Sequence, residues 1–217
     1  MSQPSVKWPA FKRSLVAILR GVGPSEVEAI GEVLIGSGFE AIEVPLNSPN
    51  ALSSIECLSK RFGADILIGA GTVLTADDCA RVADVGGRLM VSPNIDADVM
   101  RIAQARSMVT LPGVFSPTEA LKAIQLGASA LKFFPASVLG PSGISALSAV
   151  LPKNMVIGAV GGVSHQNFRD YIAVGIRTFG LGSSLYRPGQ STKIVAANAI
   201  EAVTAYDEAI SKASSGV

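Results

Sequence analysis

Residues 41–74 read AIEVPLNSPNALSSIECLSKRFGADILIGAGTVL, and this stretch sets the pattern for the whole chain. Ala41–Pro45 is a short apolar run of strand length. A helical pattern begins near Pro49 and gives out at Gly63, where a second apolar run, Ile66–Ala70, follows. Strand, helix, strand in that order predicts parallel pairing through a right-handed crossover.

The same unit recurs on both sides. Leu15–Arg20 precedes it, with a helix from near Ser25. Leu89–Ser92, Val109–Pro112, Ala130–Phe133, Met155–Ala159 and Thr178–Leu181 follow as strand candidates. The helices between and after them begin near Thr75, Asp96, Ser116, Gly143, Ser164 and Thr192. Eight strand–helix units favour a single-domain (β/α)8 TIM barrel over a doubly wound sheet, although periodicity alone does not show closure. Ser116-Pro117-Thr118-Glu119 predicts a capping box with proline at the first helical position, and Thr75 heads an acidic first turn. Gly36, Gly38, Gly63, Gly86, Gly87, Gly127 and Gly175 are expected at helix exits. Trp8–Arg13 is expected to form a helix under the barrel, and the tail from Ala213 to Val217 to fray.

Composition excludes several functions. The 217 residues carry 18 basic and 17 acidic side chains, without a basic run, so no nucleic-acid partner is expected. Phe133–Pro152 holds no charge and is long enough to suggest a membrane span. Pro135, Gly140, Pro141 and Gly143 interrupt it, so it reads as a buried strand end, a loop and a helix, and no membrane partner is expected. Met1–Ser14 has no apolar signal-peptide core. Cys57 and Cys79 lie far apart without a CxxC grouping and read as reduced structural thiols of a cytoplasmic protein. His165 is the only histidine, so neither a histidine metal site nor a metal cofactor is expected; it reads as first-turn helix surface.

Barrel enzymes carry their chemistry at the C-terminal ends of the strands. Lys132 lies there in Ala130-Leu131-Lys132-Phe133-Phe134-Pro135. Apolar surroundings lower an ammonium pKa and free an amine to attack a ketone; alternatively the lysine snorkels from a strand edge. Glu43, inside a buried strand, reads as a proton shuttle or as half of a salt bridge with Arg20. Arg20 itself suits a carboxylate or phosphate, or is merely an exposed strand end. Gly69-Ala70-Gly71-Thr72 leaves room for a substrate carboxylate that Thr72 could bind, or Thr72 caps the next turn. Gly161-Gly162 and Gly182-Ser183-Ser184 follow the last two strands, where barrels often hold a phosphate on backbone N–H groups.

Five motifs in order resemble one family, the pyruvate-dependent class I aldolases acting on 2-keto-3-deoxy-6-phospho sugar acids. They are Glu43-Val44-Pro45-Leu46, Gly69-Ala70-Gly71-Thr72-Val73-Leu74, Val91-Ser92-Pro93-Asn94, Leu131-Lys132-Phe133-Phe134-Pro135-Ala136 and Gly161-Gly162-Val163. The resemblance spans about Leu15 to Gly189. It implies that Lys132 forms an imine and that Glu43 is the general acid/base. It implies that Arg20, Thr72, Pro93 and Phe134 line the pyruvate half, and that Gly161, Gly162, Gly182, Ser183 and Ser184 surround the phosphate. A homotrimer without cofactor is implied as well, cleaving a phosphorylated keto-deoxy sugar acid to pyruvate and glyceraldehyde 3-phosphate. Pro45, Asn47 and Val160 stand where the gluconate-type branch has Thr, Arg and Thr, and so resemble the galactonate-type branch. Val160 is thereby expected beside C4, the carbon at which the two substrates differ. An aldolase of the gluconate-type branch, or one that accepts both epimers, is the alternative within the family; a phosphate-binding isomerase or synthase, or a noncatalytic phosphosugar-binding protein, is the alternative from another class.

Overall fold

The computed structural model describes residues 6–215. The elements run β1 (Leu15–Ile18), α1 (Pro24–Gly36), β2 (Ala41–Pro45), α2 (Ala51–Phe62), β3 (Leu67–Gly71), α3 (Ala76–Asp84), β4 (Leu89–Val91) and α4 (Ala97–Ala105). They continue β5 (Val109–Leu111), β6 (Gly113–Val114), α5 (Pro117–Gln125), β7 (Leu131–Phe133) and α6 (Ala136–Ser148). β8 (Ile157–Val160), α7 (Phe168–Ala173), β9 (Thr178–Leu181) and α8 (Thr192–Ser215) complete the chain. Every strand pair is parallel, in the order β5-β4-β3-β2-β1-β9-β8-β7-β6.

Closure happens at Pro112. β5 pairs with β4 and β6 pairs with β7, and only Pro112 separates β5 from β6. Proline has no N–H, so it removes one ladder bond and splits a single stave in two. The ladder on the other side runs straight through. The amides of Ala130, Lys132 and Phe134 donate to the carbonyls of Thr110, Pro112 and Val114 at 3.1, 2.9 and 3.2 Å. The nine strands are therefore eight staves of a closed barrel, and a doubly wound sheet is excluded.

Side chains alternate along each stave. Ile42, Val44, Leu131 and Phe133 point outward into the layer beneath the helices. Val16, Ala41, Leu67, Leu89, Val91, Val109, Leu111 and Ala130 fill the lower interior. Ala41 and Ala130 point inward, so Glu43 and Lys132, two residues on, face inward one step nearer the mouth.

The helix ends follow local chemistry. Ser116 Oγ accepts from the Glu119 amide at 3.3 Å and the Ser116 amide donates to Glu119 Oε2 at 2.9 Å, completing the box. Thr75 Oγ1 accepts from the Asp78 amide at 3.1 Å, and Asp96 Oδ1 accepts from Asp98 and Val99 at 2.9 Å each. Of the expected exit glycines, Gly38, Gly86, Gly127 and Gly175 take positive φ. Gly36 stays inside α1, and Gly63 ends α2 at φ −64.

Three expectations fail. Trp8–Arg13 is not a helix. Pro9 lies within it, and the Phe11 amide folds back onto the Pro9 carbonyl at 3.0 Å. The segment works as a plug: Trp8 and Phe11, edge to face at 5.7 Å, pack against the lower interior. The second failure is the loop and helix start expected at Gly143. α6 begins at Ala136 and is broken at Gly140 (φ 66), with Pro141 opening its second part. The third is the tail. α8 continues through Ala213 to Ser215, while Gly216 and Val217 lie outside the described residues. Arg13 holds α8 to the plug through Asp207 at 2.6 Å, and Tyr206 OH donates to the Arg177 carbonyl at 3.0 Å. Both cysteines are free, and among the described residues no helix is long and apolar enough to cross a membrane.

Candidate active site

β2 and β7 are the second and sixth of eight staves, so they stand opposite each other. Glu43 and Lys132 therefore face one another across the interior, 3% and 6% exposed. Small residues make room for them. A Cβ on Gly71 would overlap the Glu43 carboxylate, and one on Gly180 would meet Val160 Cγ2 at 2.7 Å and Ile18 Cδ1 at 3.1 Å. The space expected at Gly71 for a substrate carboxylate is thus taken by Glu43 itself.

A cavity of about 320 Å³ opens above this level. Its lining brings together every residue expected to catalyse or to bind the substrate: Arg20, Glu43, Thr72, Pro93, Lys132, Phe134, Val160, Gly161, Gly162, Gly182, Ser183 and Ser184. The volume falls within the range of small-molecule sites. Asn94 is exposed and does not line it. Val163, the end of the Gly161-Gly162-Val163 motif, and Gly180 also line the cavity, as do Ile18 and Ser164, which were missed.

Desolvation dominates the electrostatics. Burial pushes the Glu43 carboxyl from 4.5 up to about 7, against the pull of the Lys132 and Arg20 charges and the Gly71 backbone N–H. Burial draws the Lys132 ammonium from 10.5 down to about 8; the Glu43 charge opposes this and the Arg20 charge adds to it. Glu43 Oε2 is buried and has no hydrogen-bond partner. Lys132 Nζ lies 4.8 Å from the centre of the Phe134 ring. In a closed barrel β7 has no edge, so the snorkelling alternative for Lys132 falls away. Opposed by burial, both groups sit near the point where each can gain or lose a proton at neutral pH.

Arg20 does not pair with Glu43. Its Nη1 donates to Asn47 Oδ1 at 2.6 Å and its Nη2 to Thr72 Oγ1 at 3.5 Å. Asn47 thus holds Arg20 in place, a structural task that no feature of its neighbouring residues signals. Thr72 sits at φ 56, a left-handed conformation that costs a β-branched residue about 1–3 kcal/mol. It caps no helix, since Thr75 caps α3. Strain at such a position fits a residue held for its hydroxyl rather than for folding.

The opposite side of the mouth is built from backbone. Gly161 and Gly162 take φ 90 and 75, and the Ser137 amide donates to the Gly161 carbonyl at 3.0 Å. A Cβ on Gly162 would meet Ser137 Cβ at 2.5 Å, so only glycine allows this approach. After β9 the chain makes one helical turn, with the Leu185 and Tyr186 amides donating to the Gly182 carbonyl at 2.8 and 3.0 Å. The first amides of such a turn have no acceptor within it, and this end of a helix favours anions. Ser184 Oγ bonds the Val163 carbonyl at 3.3 Å and ties the two loops together.

His165 lies in the turn before α7, not in the helix, and pairs with Glu201 at 3.4 Å. Among the described residues no group of three or more His, Cys, Asp or Glu could hold a metal ion.

Comparison with known proteins gives this geometry a lineage. The model of the KDPG and KHG aldolase family matches residues 11–205. A probable 2-dehydro-3-deoxy-6-phosphogalactonate aldolase of Rhizobium meliloti (strain 1021) is 60% identical over 199 residues, 92% of this chain and 94% of its own. The 2-dehydro-3-deoxy-6-phosphogalactonate aldolase of Escherichia coli (strain K12) is 45% identical over 92% of this chain and 97% of its own. A solved structure described as native KDPGal superposes with a TM-score of 0.92 at 44% identity, covering 94% of this chain and 99% of that one. A closed barrel with a buried lysine and glutamate at its mouth, a family model matching nearly its whole length and close relatives of one kind lead to one statement: the chain belongs to the KDPG and KHG aldolase family.

Proposed function

We propose that this chain is a class I aldolase that cleaves 2-dehydro-3-deoxy-6-phosphogalactonate reversibly to pyruvate and D-glyceraldehyde 3-phosphate. The observation that carries the reading is the pair across the barrel: an amine lowered by burial and a carboxylate with a free oxygen, both facing the cavity. Neutral Lys132 attacks the C2 ketone. Glu43 assists loss of water from the carbinolamine to give the imine. It then takes the C4 hydroxyl proton, through water. The C3–C4 bond breaks, its electrons pass into the protonated imine, and glyceraldehyde 3-phosphate leaves. Protonation of the enamine at C3 and hydrolysis release pyruvate. The iminium is the electron sink.

Arg20 and Thr72 suit the carboxylate beside the ketone, with Pro93 and Phe134 as the walls of the pyruvate half. Gly161, Gly162, Gly182, Ser183 and Ser184 suit the phosphate. The names of the relatives support the galactonate-derived substrate, the family likeness alone supports a homotrimer, and the two free cysteines support a cytoplasmic location.

Borohydride reduction in the presence of pyruvate tests the reading. The expected result is a permanent mass increase on the peptide containing Lys132. An adduct on another lysine, or none, overturns it and leaves the isomerase, synthase or binding-protein alternative.

The choice of epimer turns on Val160. It ends β8, is 5% exposed and lines the cavity between the Lys132 level and the glycine pair. Valine leaves a hydroxyl directed at it unpaired, which costs about 1–3 kcal/mol, or roughly one to two powers of ten. Val160→Thr should move the ratio of kcat/KM toward the gluconate-derived epimer by about that factor. Kinetics on both epimers with both proteins is the measurement, and an unmoved ratio removes Val160 as the discriminating residue.

A further inference from the structure

The charged groups that line the cavity are Arg20, Glu43 and Lys132. Both cations belong to the pyruvate half: Arg20 is held to Asn47 and Thr72, and Lys132 carries the imine. The anion-binding loops at the other end line the cavity with glycine, valine and serine alone. A sugar phosphate is close to dianionic at neutral pH. Neutral amides can orient it, yet they leave its net charge uncompensated.

A cation stands just outside that lining. Arg187 follows the helical turn at Gly182 and is exposed. Its Nε donates to the Ser183 carbonyl at 3.1 Å, and its backbone N–H donates to Gln190 Oε1 at 2.9 Å. The guanidinium is therefore fixed to the phosphate loop by its inner nitrogen. Among the described residues its terminal nitrogens have no hydrogen bond and no carboxylate pairs with it. It borders a second cleft, of about 350 Å³, which holds no acid and shares Ser164, Ser183 and Ser184 with the main cavity. The other basic side chain of that cleft, His165, is engaged by Glu201.

We propose that Arg187 supplies the cationic contact to the substrate phosphate and so makes the site select phosphorylated over unphosphorylated aldehydes. The inference rests on the aldolase reading above and adds a residue to it. A guanidinium has donors in a fork that fits two phosphate oxygens at once. Anchored through Nε to the Ser183 carbonyl, it keeps both terminal NH2 groups free for that contact. Hydrogen bonds to charged groups contribute about 1.5–3 kcal/mol, roughly ten- to a hundredfold. Exposure and salt bring the expectation to the lower end of that range.

The test runs the reaction in the synthetic direction. Pyruvate is condensed with glyceraldehyde 3-phosphate and, separately, with glyceraldehyde, by wild type, Arg187→Gln and Arg187→Lys, at low and high salt. In Arg187→Gln the ratio of kcat/KM, phosphorylated over unphosphorylated, is expected to fall about tenfold, mainly through KM for the phosphorylated aldehyde. Arg187→Lys should retain part of the preference, and the difference from wild type should narrow at high salt. An unchanged ratio overturns the proposal. So does a parallel fall with both aldehydes, which would mean that Arg187 only shapes the loop around Ser183. Failure of the wild type to condense pyruvate with either aldehyde would instead overturn the aldolase reading, and this proposal with it.

Discussion

Lys132→Met is expected to fold and to lose aldol turnover on the order of 10⁶-fold, the scale seen when a covalent nucleophile is removed. Methionine keeps roughly the volume and the apolar stem of lysine in the closely packed stave, so the loss reports chemistry rather than collapse. The same substitution has a second readout. Lys132 now draws the Glu43 carboxyl down, so without its charge the carboxyl rises further above 7. An acid raised in the folded state stabilises fully below its unfolded pKa, and that contribution is lost as pH rises through the folded value. In wild type the loss runs from about 4.5 to about 7; in the variant it continues to higher pH. Lys132, lowered in the folded state, penalises wild type below about 8 and is relieved between about 8 and 10.5. Both terms have the same sign. The melting temperature of Lys132→Met relative to wild type should therefore fall as pH is raised from about 6 to 9. Thermal melts across that range check it. A difference independent of pH would mean that neither the lowered Lys132 ammonium nor its pull on Glu43 operates in the folded barrel, and substantial turnover in the variant would remove Lys132 as the nucleophile.

Glu43→Gln should lower turnover by roughly 10²–10⁴-fold, the usual contribution of a general acid/base. Gln preserves the shape that Gly71 was left bare to accommodate, so the barrel should remain intact. The Glu43 charge raises the Lys132 pKa, and its removal should lower that pKa below about 8. The rate of borohydride trapping with pyruvate, plotted against pH, should then show its midpoint at lower pH in the variant, whatever its height. Near wild-type turnover would assign Glu43 a structural role. A midpoint that stays in place would show that the carboxylate is already protonated when the amine titrates.

What could be read in advance follows from how local the signal is. The step of two from Ala41 to Glu43 and from Ala130 to Lys132 is a property of any strand, so the inward direction of both groups was present in the sequence. Stave number and order came from the recurrence of the unit, but closure did not. It depends on the carbonyls of Thr110, Pro112 and Val114 meeting a strand from further along the chain. The helix expected at Trp8–Arg13 failed because two aromatic side chains gain more from the open floor of the barrel than six residues gain from one and a half helical turns. Gly140 and Pro141 carried enough information to place a break, though not to show that a helical turn precedes it. The tie from Arg20 to Asn47 had no signature, because partner choice between exposed side chains is decided by the distance between two loops. Arg187 was equally silent. It lies past the glycine motif, in a turn whose orientation only the folded chain supplies.

The plug and the last helix reach the same place. Trp8 and Phe11 cover the floor, and α8 is pinned to the segment beside them through Arg13 and Asp207, so the plug and this part of α8 meet at the end opposite the mouth. A covalent linker to a solid support, attached on the plug or on α8 beside Asp207, would extend away from the catalytic opening. A layer of molecules anchored in that way would present every cavity outward to the solution, and linkers at the two positions would lie on the same face.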